Sequence, residues 1–223
     1  MKRRGRRSGG KKRRGGESVQ RRSLHRPEEA RVLIVCEGRE TEPNYFWGLQ
    51  RDVRPRFNVE IKRGKGGSRL AIVQKAIDEL EKAANRGENF DEVWCVFDVE
   101  QAGQKDQVIQ ARTLAGQYGI QLALSNPSFE VWLLAHFVRT KKPFADAAAV
   151  SKVLNKHWQS EFGRDYDKND DQLYARLASR TPSAIENARK VRTQDWDSSA
   201  DIVECNSATD VYLLVVHLLG PAE

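Results

Sequence analysis

Acidic side chains that could bind a metal ion follow two apolar segments of strand length. Glu37 comes directly after the β-branched run Val32-Leu33-Ile34-Val35-Cys36, and Asp98 and Glu100 close the run 93–97. Side chains two positions apart in a strand point the same way, so Asp98 and Glu100 can converge on one cation. Carboxylate oxygens without His or Cys select Mg²⁺ or Mn²⁺. In the alternative interpretation, Glu37 begins a solvated turn, Asp98 caps a helix and Glu100 is solvated.

An open parallel sheet would bring these acids together at one edge. Apolar or alternating runs predict further strands at 57–61 and 120–124. Segments with helical spacing lie between the strands, and this alternation predicts an α/β fold, a parallel sheet flanked by helices. The carboxyl ends of such strands fan apart at one edge, where the following loops leave a crevice. The predicted helices cover residues 43–49, 70–80, 104–117 and 129–137.

Two more carboxylates stand at the starts of predicted helices. Glu42 precedes Pro43, and Glu130 lies in the first turn of an almost wholly apolar helix. A carboxylate there is favoured by the helix dipole, but this helix also begins at the carboxyl end of a strand, from which Glu130 could reach the metal pocket. Both interpretations stay open, and a site with two metal ions would recruit Glu42 or Glu130. His136, on the apolar face, is interpreted as a packed histidine.

A glycine-rich loop at 63–68 joins the second predicted strand to a long helix. Ser68 is its predicted N-cap, and the loop amides could hold a phosphate. The loop lacks the GxxxxGK[ST] spacing of a nucleotide P-loop. We therefore predict a flexible turn, with Arg63 and Lys65 available to bind the phosphate groups of a nucleic acid.

The N-terminal segment carries the excess positive charge of the chain. Residues 1–30 contain twelve Lys or Arg and three Glu, a net charge of +9 against +7 for the whole chain, so the remainder is close to neutral. Almost without apolar residues, this tail is predicted to be disordered when free. Its cations, Arg13 and Arg14 among them, suit a phosphate backbone because neutralising each phosphate releases counterions. A solubility extension or a non-specific polyanion handle is the alternative.

The second half of the chain changes character after Pro143. Helical periodicity at 146–158, 170–178, 182–191 and 208–219 predicts a helical C-terminal layer or lobe. We predict a tail at 1–30, a metal-binding core at 31–140 and a helical region at 141–223. Cations of this region that could grip a nucleic-acid backbone are Lys168, Arg176, Arg180, Arg189, Lys190 and Arg192.

Cysteine usage and hydropathy point to the cytoplasm. Cys36, Cys95 and Cys205 are far apart, lack zinc-ligand spacing and are predicted to be buried thiols. No apolar run approaches the roughly 20 residues needed to cross a bilayer. The N-terminal charges are not followed by an apolar signal segment. A cytosolic protein without a membrane partner is expected.

Several motifs together resemble the RloB-like family. They are Cys36-Glu37-Gly38 with Thr41-Glu42-Pro43 and Tyr45-Phe46, then Asp98-Val99-Glu100, then Ser125-Asn126-Pro127 with Phe129-Glu130, Trp132-Leu133-Leu134 and His136-Phe137, and finally Asn206-Ser207-Ala208-Thr209-Asp210-Val211. The resemblance covers about residues 31–220. It is specific in combination, since an acidic EG or DxD alone is a weak signal.

The resemblance implies a Toprim-like, Rossmann-like core for phosphodiester chemistry with Mg²⁺. Glu37 matches the glutamate that follows the first strand, and Asp98 matches the first aspartate of the DxD pair. Glu100 departs from the pattern, because a second aspartate stands there in Toprim domains. Lys168 resembles a family lysine that could neutralise the transferred phosphate, although a plain surface lysine is the alternative. The resemblance also implies a role in bacterial phage defence, often beside an ATPase partner.

These observations favour a Mg²⁺-dependent nuclease acting on RNA, such as transfer RNA, or on DNA. In this hypothesis Glu37, Asp98 and Glu100 hold one or two metal ions, and Glu37 acts as a base or an acid. Two other classes stay open. One is a non-catalytic nucleic-acid-binding or regulatory subunit of a defence complex with an ATPase. The other is a Toprim-type nucleotidyl or phosphoryl transferase, which would require a nucleotide.

Overall fold

A five-stranded sheet in the order β2-β1-β3-β4-β5 forms the centre of the chain. The first four strands are parallel, and the short edge strand β5 runs antiparallel to β4. This arrangement is Rossmann-like and confirms the predicted α/β fold with a parallel sheet. The strands are β1 (Ala30–Cys36), β2 (Phe57–Lys62), β3 (Glu92–Asp98), β4 (Gln121–Asn126) and β5 (Ala208–Thr209).

The structure is a computed structural model that describes residues 29–54, 56–64, 67–99, 105–196 and 200–220. Nearly all of the basic tail, with Arg13 and Arg14, lies outside these residues, as do Lys65 and Glu100. The proposed domain boundaries at residues 30 and 140 stay predictions.

Eight α-helices are found among the described residues, and they cover both faces of the sheet. Helices α2 and α3 pack on one face, while α1 and α4 and the C-terminal helices share a core with the other. The helical C-terminal layer is thereby confirmed. The helices are α1 (Thr41–Val53), α2 (Arg69–Asn85), α3 (Lys105–Gln117), α4 (Glu130–Ala135), α5 (Ala147–Phe162), α6 (Leu173–Leu177), α7 (Thr181–Lys190) and α8 (Val211–Leu219).

Burial on both faces explains why the first strand is a continuous apolar run. Leu33 and Val35 pack among the side chains of α2 and α3, whereas Val32 and Ile34 face the core shared with α1 and α8. All four side chains are fully buried. A parallel strand covered on both sides shows no polar alternation, because neither face meets water.

The segment 208–219 differs from its prediction as one helix. Ala208–Thr209 is a strand, and the helix starts at Val211. Thr209 pairs with Ser125 of β4, and their hydroxyl groups lie 2.8 Å apart in the buried interior. The strand satisfies backbone groups at the sheet edge that a helix would leave unpaired. Apolar periodicity alone could not reveal this pairing partner.

The three cysteines are free and buried, which confirms their prediction as buried thiols. Among the residues that the structure covers, no helix is long and apolar enough to cross a membrane.

A partly buried ion pair fastens the start of α8 to the turn after α7. The Arg192 Nε donates to the Asp210 carboxylate at 3.0 Å, and its Nη1 donates to the carbonyl oxygen of Ala200 at 3.3 Å. The two charged side chains are only 14% and 18% exposed. Burial raises the pKa of Asp210, against the opposing effect of the Arg192 charge. Arg192 therefore favours the ionised form of Asp210, which burial disfavours.

Replacing Arg192 with Met should destabilise the fold strongly, because it leaves a buried carboxylate without its counter-charge. We expect a loss of about 3 kcal/mol in the free energy of unfolding at pH 8, measured by urea denaturation. Arg189→Met is the matched control, since Arg189 pairs with Glu186 at the surface. Its urea midpoint should equal that of the unmodified chain. Equal midpoints for both variants would show that the Arg192 pair does not stabilise the fold.

Candidate functional site

A cavity of about 500 Å³ opens at the carboxyl edge of the parallel strands. Four of the predicted site carboxylates and the predicted lysine line it, so the structure brings together residues from β1, β3, the first turns of α1 and α4, and the loop after α5. The lining residues are Glu37, Gly38, Arg39, Glu40, Thr41, Glu42, Asp98, Phe129, Glu130, Ala147, Lys168 and Asn169.

Glu37 joins the ends of the two central strands. Its backbone N–H donates to the carbonyl oxygen of Val96 at 2.9 Å, which extends the pairing of β1 with β3 by one residue. Its carboxylate Oε2 accepts the backbone N–H of Asp98, also at 2.9 Å. Glu37 and Asp98 are thus held side by side at the cavity by the backbone, as their positions after neighbouring strands predict.

Arg69 supports Asp98 from behind. This first residue of α2 is only 4% exposed, and its Nε donates to the carbonyl oxygen of Asp98 at 3.1 Å. The guanidinium places a fixed positive charge next to the acidic strand ends. Arg69 was not predicted as a site residue, although its position in the sequence gave a signal. An arginine in the first turn of a helix opposes the helix dipole, and such a local conflict often marks a positioned side chain.

Gly64 brings the glycine-rich loop into contact with the end of β1. A Cβ atom at this position would lie 2.0 Å from the carbonyl oxygen of Glu37 and 2.6 Å from that of Cys36. Only glycine allows the loop to pass so close to another backbone. The loop therefore supports Glu37 sterically.

Ser68 caps α2 as predicted, accepting the backbone N–H of Ala71 at 3.3 Å.

Glu42 is buried in the first turn of α1, with 6% of its surface exposed. Its Oε1 accepts the backbone N–H of Gly38 at 3.2 Å. Burial raises the pKa of Glu42 to about 7, and the charges of Glu130 and Glu37 add to the rise, against backbone hydrogen bonds that favour the ionised form. A Cβ at Gly38 would lie 2.1 Å from Glu42 Oε2, so this glycine makes room for the carboxylate.

Glu130 is held by a hydroxyl and an ammonium group. Its Oε2 accepts a hydrogen bond from Ser128 Oγ at 2.6 Å, and its Oε1 lies 2.9 Å from Lys168 Nζ. The Glu130 side chain is 5% exposed and that of Lys168 is 56% exposed. Burial lowers the pKa of Lys168, but the hydrogen bond to Glu130 and the neighbouring carboxylates outweigh it and raise the pKa. Ser128 was missed, although it stands two residues before Glu130.

Aromatic packing fixes α1 against α4 behind the cavity. The ring of Tyr45 meets the rings of Phe129 and Trp132 edge-on, with centroids 5.9 and 6.0 Å apart. Trp132 in turn packs against His136 at 4.9 Å. Because Glu42 and Glu130 stand on these two helices, the aromatic contacts set the separation of the two carboxylates. His136 is 2% exposed and hydrogen-bonds the carbonyl oxygen of Trp132 through Nδ1, as expected for a packed histidine.

Most of the predicted backbone-gripping cations are engaged elsewhere. Arg63 lies over the ring of Trp47 at 4.5 Å and is 3.7 Å from Glu40, so it stands at the rim of the cavity. Each predicted cation of the second half forms an ion pair with a nearby carboxylate, and Lys168 also lines the cavity. The pairs are Lys168–Glu130, Arg176–Asp170, Arg180–Glu161, Arg189–Glu186, Lys190–Glu186 and Arg192–Asp210. That these cations bind nucleic acid stays a prediction.

The donor chemistry of the cavity fits a hard cation such as Mg²⁺ or Mn²⁺. Glu37, Glu42, Asp98 and Glu130 offer carboxylate oxygens to one cavity. Burial is the main reason for the raised pKa of Glu42, and the negative charges of Glu130 and Glu37 add to it. Among the described residues, no group of three or more His, Cys, Asp or Glu is arranged to hold a metal ion. Glu100, the third predicted ligand, is not among them, and its role stays a prediction.

Comparison with known families gives one result. The family model described as RloB-like protein matches residues 32–218, from β1 to α8. No curated protein and no solved structure is significantly similar to the chain. The match confirms the family resemblance seen in the motifs, and it includes every residue that lines the cavity.

Replacing Gly64 with Ala should damage both the fold and the site. The added methyl group meets backbone atoms that cannot rotate away, so we expect a loss of about 2 kcal/mol in the free energy of unfolding. Gly116→Ala is the matched control, because its Cβ in α3 meets nothing within 4 Å. That substitution should leave stability unchanged or raise it by up to about 1 kcal/mol. Equal stability of the two variants would contradict the contact of Gly64 with β1.

Stability should fall in acid partly through His136. Burial lowers the pKa of this residue to about 4 from an ordinary value of 6.5, so the unfolded chain binds a proton that the folded chain refuses. Between pH 6.5 and 4 the free energy of unfolding should decrease by up to about 3 kcal/mol from this group. His136→Asn should show a correspondingly smaller decrease in urea titrations across this range. The same pH dependence in both proteins would rule out a buried neutral histidine.

Proposed function

We propose that this chain, which belongs to the RloB-like protein family, is a metal-dependent nuclease that hydrolyses phosphodiester bonds of nucleic acid in bacterial phage defence. The observation that carries the proposal is the convergence of Glu37, Asp98, Glu42 and Glu130 with Lys168 on one cavity. Acids gathered at strand ends repel one another, by roughly a kilocalorie per mole or more for each pair at a few ångströms. A purely structural role would not explain why these four carboxylates line one cavity.

In the proposed reaction, Glu37, Asp98 and Glu100 would hold Mg²⁺. A bound ion would polarise the scissile phosphate and stabilise charge on the leaving oxygen. Glu37 is oriented by the N–H of Asp98 and faces the cavity, where it takes a proton from the attacking water or gives one to the leaving oxygen. The water oxygen loses a proton and forms a bond to phosphorus, the ester P–O bond breaks, and the leaving oxygen takes up a proton from Glu37 or from solvent.

Lys168 supplies positive charge to the phosphate. Its ammonium group sits at the cavity between Glu130 and solvent, and its side chain is long enough and exposed enough to turn toward a ligand. A cation placed at the developing charge of the transition state stabilises it more than the ground state. Glu130 acts as a positioning residue, because its buried carboxylate holds the ammonium group at the cavity entrance.

The polyanionic substrate is favoured by the basic tail. Twelve Lys or Arg in residues 1–30 can bind a phosphate backbone without reading its sequence. The substrate is RNA, such as transfer RNA, or DNA, and an ATPase is the partner protein that the family context suggests. The position of Arg63 at the cavity rim supports a contact with the backbone next to the cleaved bond. The same role is proposed for Lys65, two residues later in the sequence.

The decisive experiment is cleavage of labelled single-stranded DNA, double-stranded DNA and total transfer RNA by the full chain. We expect cutting with Mg²⁺ or Mn²⁺, none with EDTA, and a loss of at least about 100-fold in rate for Glu37→Gln and Asp98→Asn. Lys168→Gln should lower the rate by about 10-fold or more. Glu81→Gln is the control, an exposed acid on α2 that does not line the cavity.

The possible negative results separate the alternatives. Binding without cutting, unaffected by Asp98→Asn, would identify a binding subunit of a defence complex. Activity that requires a nucleoside triphosphate would identify a nucleotidyl or phosphoryl transferase. Equal cutting by the Asp98→Asn and Glu81→Gln proteins would exclude the cavity as the nuclease site.

A further inference from the structure

A second, more open cavity of about 750 Å³ runs along α5 and adjoins the carboxylate cavity. The two share Ala147 and Lys168 in their linings, so they are adjacent, with the lysine between them. We call the second cavity the α5 groove. Its lining residues are Ala147, Ala148, Ser151, Lys152, Asn155, Asp165, Tyr166 and Lys168.

The floor of the α5 groove is suited to a flat or extended ligand. Ala147, Ala148 and Ser151 are small, so a ligand can approach the helix closely. The backbone N–H groups of Ala147 and Ala148 belong to the first turn, where a helix offers no internal acceptors. The N-cap Asp146 accepts the N–H of Ala149 instead. Ser151 Oγ is buried without a hydrogen-bond partner among the residues described.

The charge of the α5 groove is favourable to phosphate. Lys152 is exposed and forms no ion pair with any residue that the structure describes, in contrast to the other cations near the cavity. Lys168 lies where this groove adjoins the carboxylate cavity. The acid of the groove, Asp165, accepts hydrogen bonds from the side-chain amides of Asn155 and Gln159 at 2.9 and 2.6 Å. These amides partly offset its charge.

We propose that the α5 groove binds the substrate strand on one side of the scissile phosphate, with Lys152 contacting a backbone phosphate. This inference rests on the proposed function, because it takes the carboxylate cavity as the place of cleavage. The occupant is a single nucleic-acid strand. Its phosphates are spaced along a flexible backbone, so one can lie at Lys168 while a neighbouring one reaches Lys152. The groove volume is in the range of sites that enclose small ligands, and it suits one or two nucleotides.

Binding of a fluorescein-labelled 20-nucleotide single strand, measured by anisotropy in EDTA, tests the groove without cleavage. Lys152→Gln should reduce the slope of log Kd against log salt by about 0.7, the value for one phosphate contact with a single strand. Lys156→Gln is the matched control, an exposed lysine one turn further along α5 that does not line the groove. The basic tail is present in all proteins, so its contribution cancels in the comparison.

A steric pair of variants makes the test independent of charge. Ala148→Trp fills the groove and should weaken binding by about 10-fold or more, as expected when a base-sized contact is lost. Ser160→Trp adds the same side chain at an exposed position near the far end of α5 and should leave the Kd unchanged. Circular dichroism and urea midpoints equal to those of the unmodified chain would confirm that each variant folds.

The outcomes distinguish the groove from the proposed function. Equal Kd values and salt slopes for all four variants would overturn the groove, even if the chain cleaves nucleic acid. Weakened binding confined to Lys152→Gln and Ala148→Trp would support it. The same pattern in a chain that cuts nothing with Mg²⁺ would contradict the nuclease proposal alone. A response seen only with duplex DNA would overturn the assignment to a single strand.

Discussion

Negative charge held out of water at one edge of the sheet is the constraint on which the site depends. Glu42 and Glu130 are almost completely buried, and Glu37 and Asp98 open into the same cavity. Charges removed from water repel more strongly and lose hydration, so each requires a nearby donor or cation. Local groups stabilise three of these acids: the N–H of Gly38 binds Glu42, the N–H of Asp98 binds Glu37, and Ser128 with Lys168 binds Glu130.

The fold supplies the rigidity that this arrangement needs. Parallel pairing of β1 with β3 fixes Glu37 beside Asp98, because the Glu37 N–H donates to Val96 and the Asp98 N–H donates to the Glu37 carboxylate. The other two acids stand on α1 and α4, whose separation is set by the packing of Tyr45 on Trp132. Gly38 lies against the Glu42 carboxylate and Gly64 against the backbone of Glu37, so both glycines allow the close packing around these acids. Carboxylates are kept together because the surrounding packing is stronger than their repulsion.

Sequence alone predicted the elements and the acids but not the contacts that join them. The apolar runs before Glu37 and Asp98 identified the central strands, because a strand buried on both faces is a continuous apolar run in the sequence. Glu42 and Glu130 were placed at helix starts, yet whether they faced the cavity depended on tertiary packing. Arg69 acts through the backbone carbonyl of Asp98, which is distant in the sequence. Ser128 acts through the carboxylate of Glu130. Hydrophobic periodicity does not encode such pairs. The β5 pairing of Thr209 with Ser125 was missed for the same reason.

Ion pairing in the second half of the chain shows that the number of cations in a sequence does not tell how many of them are available to a phosphate backbone. Arg176, Arg180 and Arg192 looked available for a phosphate backbone, but each lies within reach of a carboxylate brought close by folding. An arginine already paired gives little net attraction to a polyanion, because the partner acid repels what the arginine attracts. Whether a cation attracts a phosphate backbone therefore depends on its immediate neighbours in the folded chain and not on the number of cations in the segment.

The asymmetry of the Lys168–Glu130 pair determines how the cavity responds to an anion. Glu130 is 5% exposed and fixed by Ser128, while Lys168 is 56% exposed and carried by a loop. Only the lysine can change partners without disturbing the core. In the proposed function, a phosphate entering the cavity would compete with Glu130 for the ammonium group, and the acid released from that pair would add to the negative charge that a cation offsets. Binding of an anion and binding of a cation at this edge should therefore favour each other. The anion frees the Glu130 carboxylate, which attracts the cation, and the cation reduces the repulsion between the carboxylates and the anion.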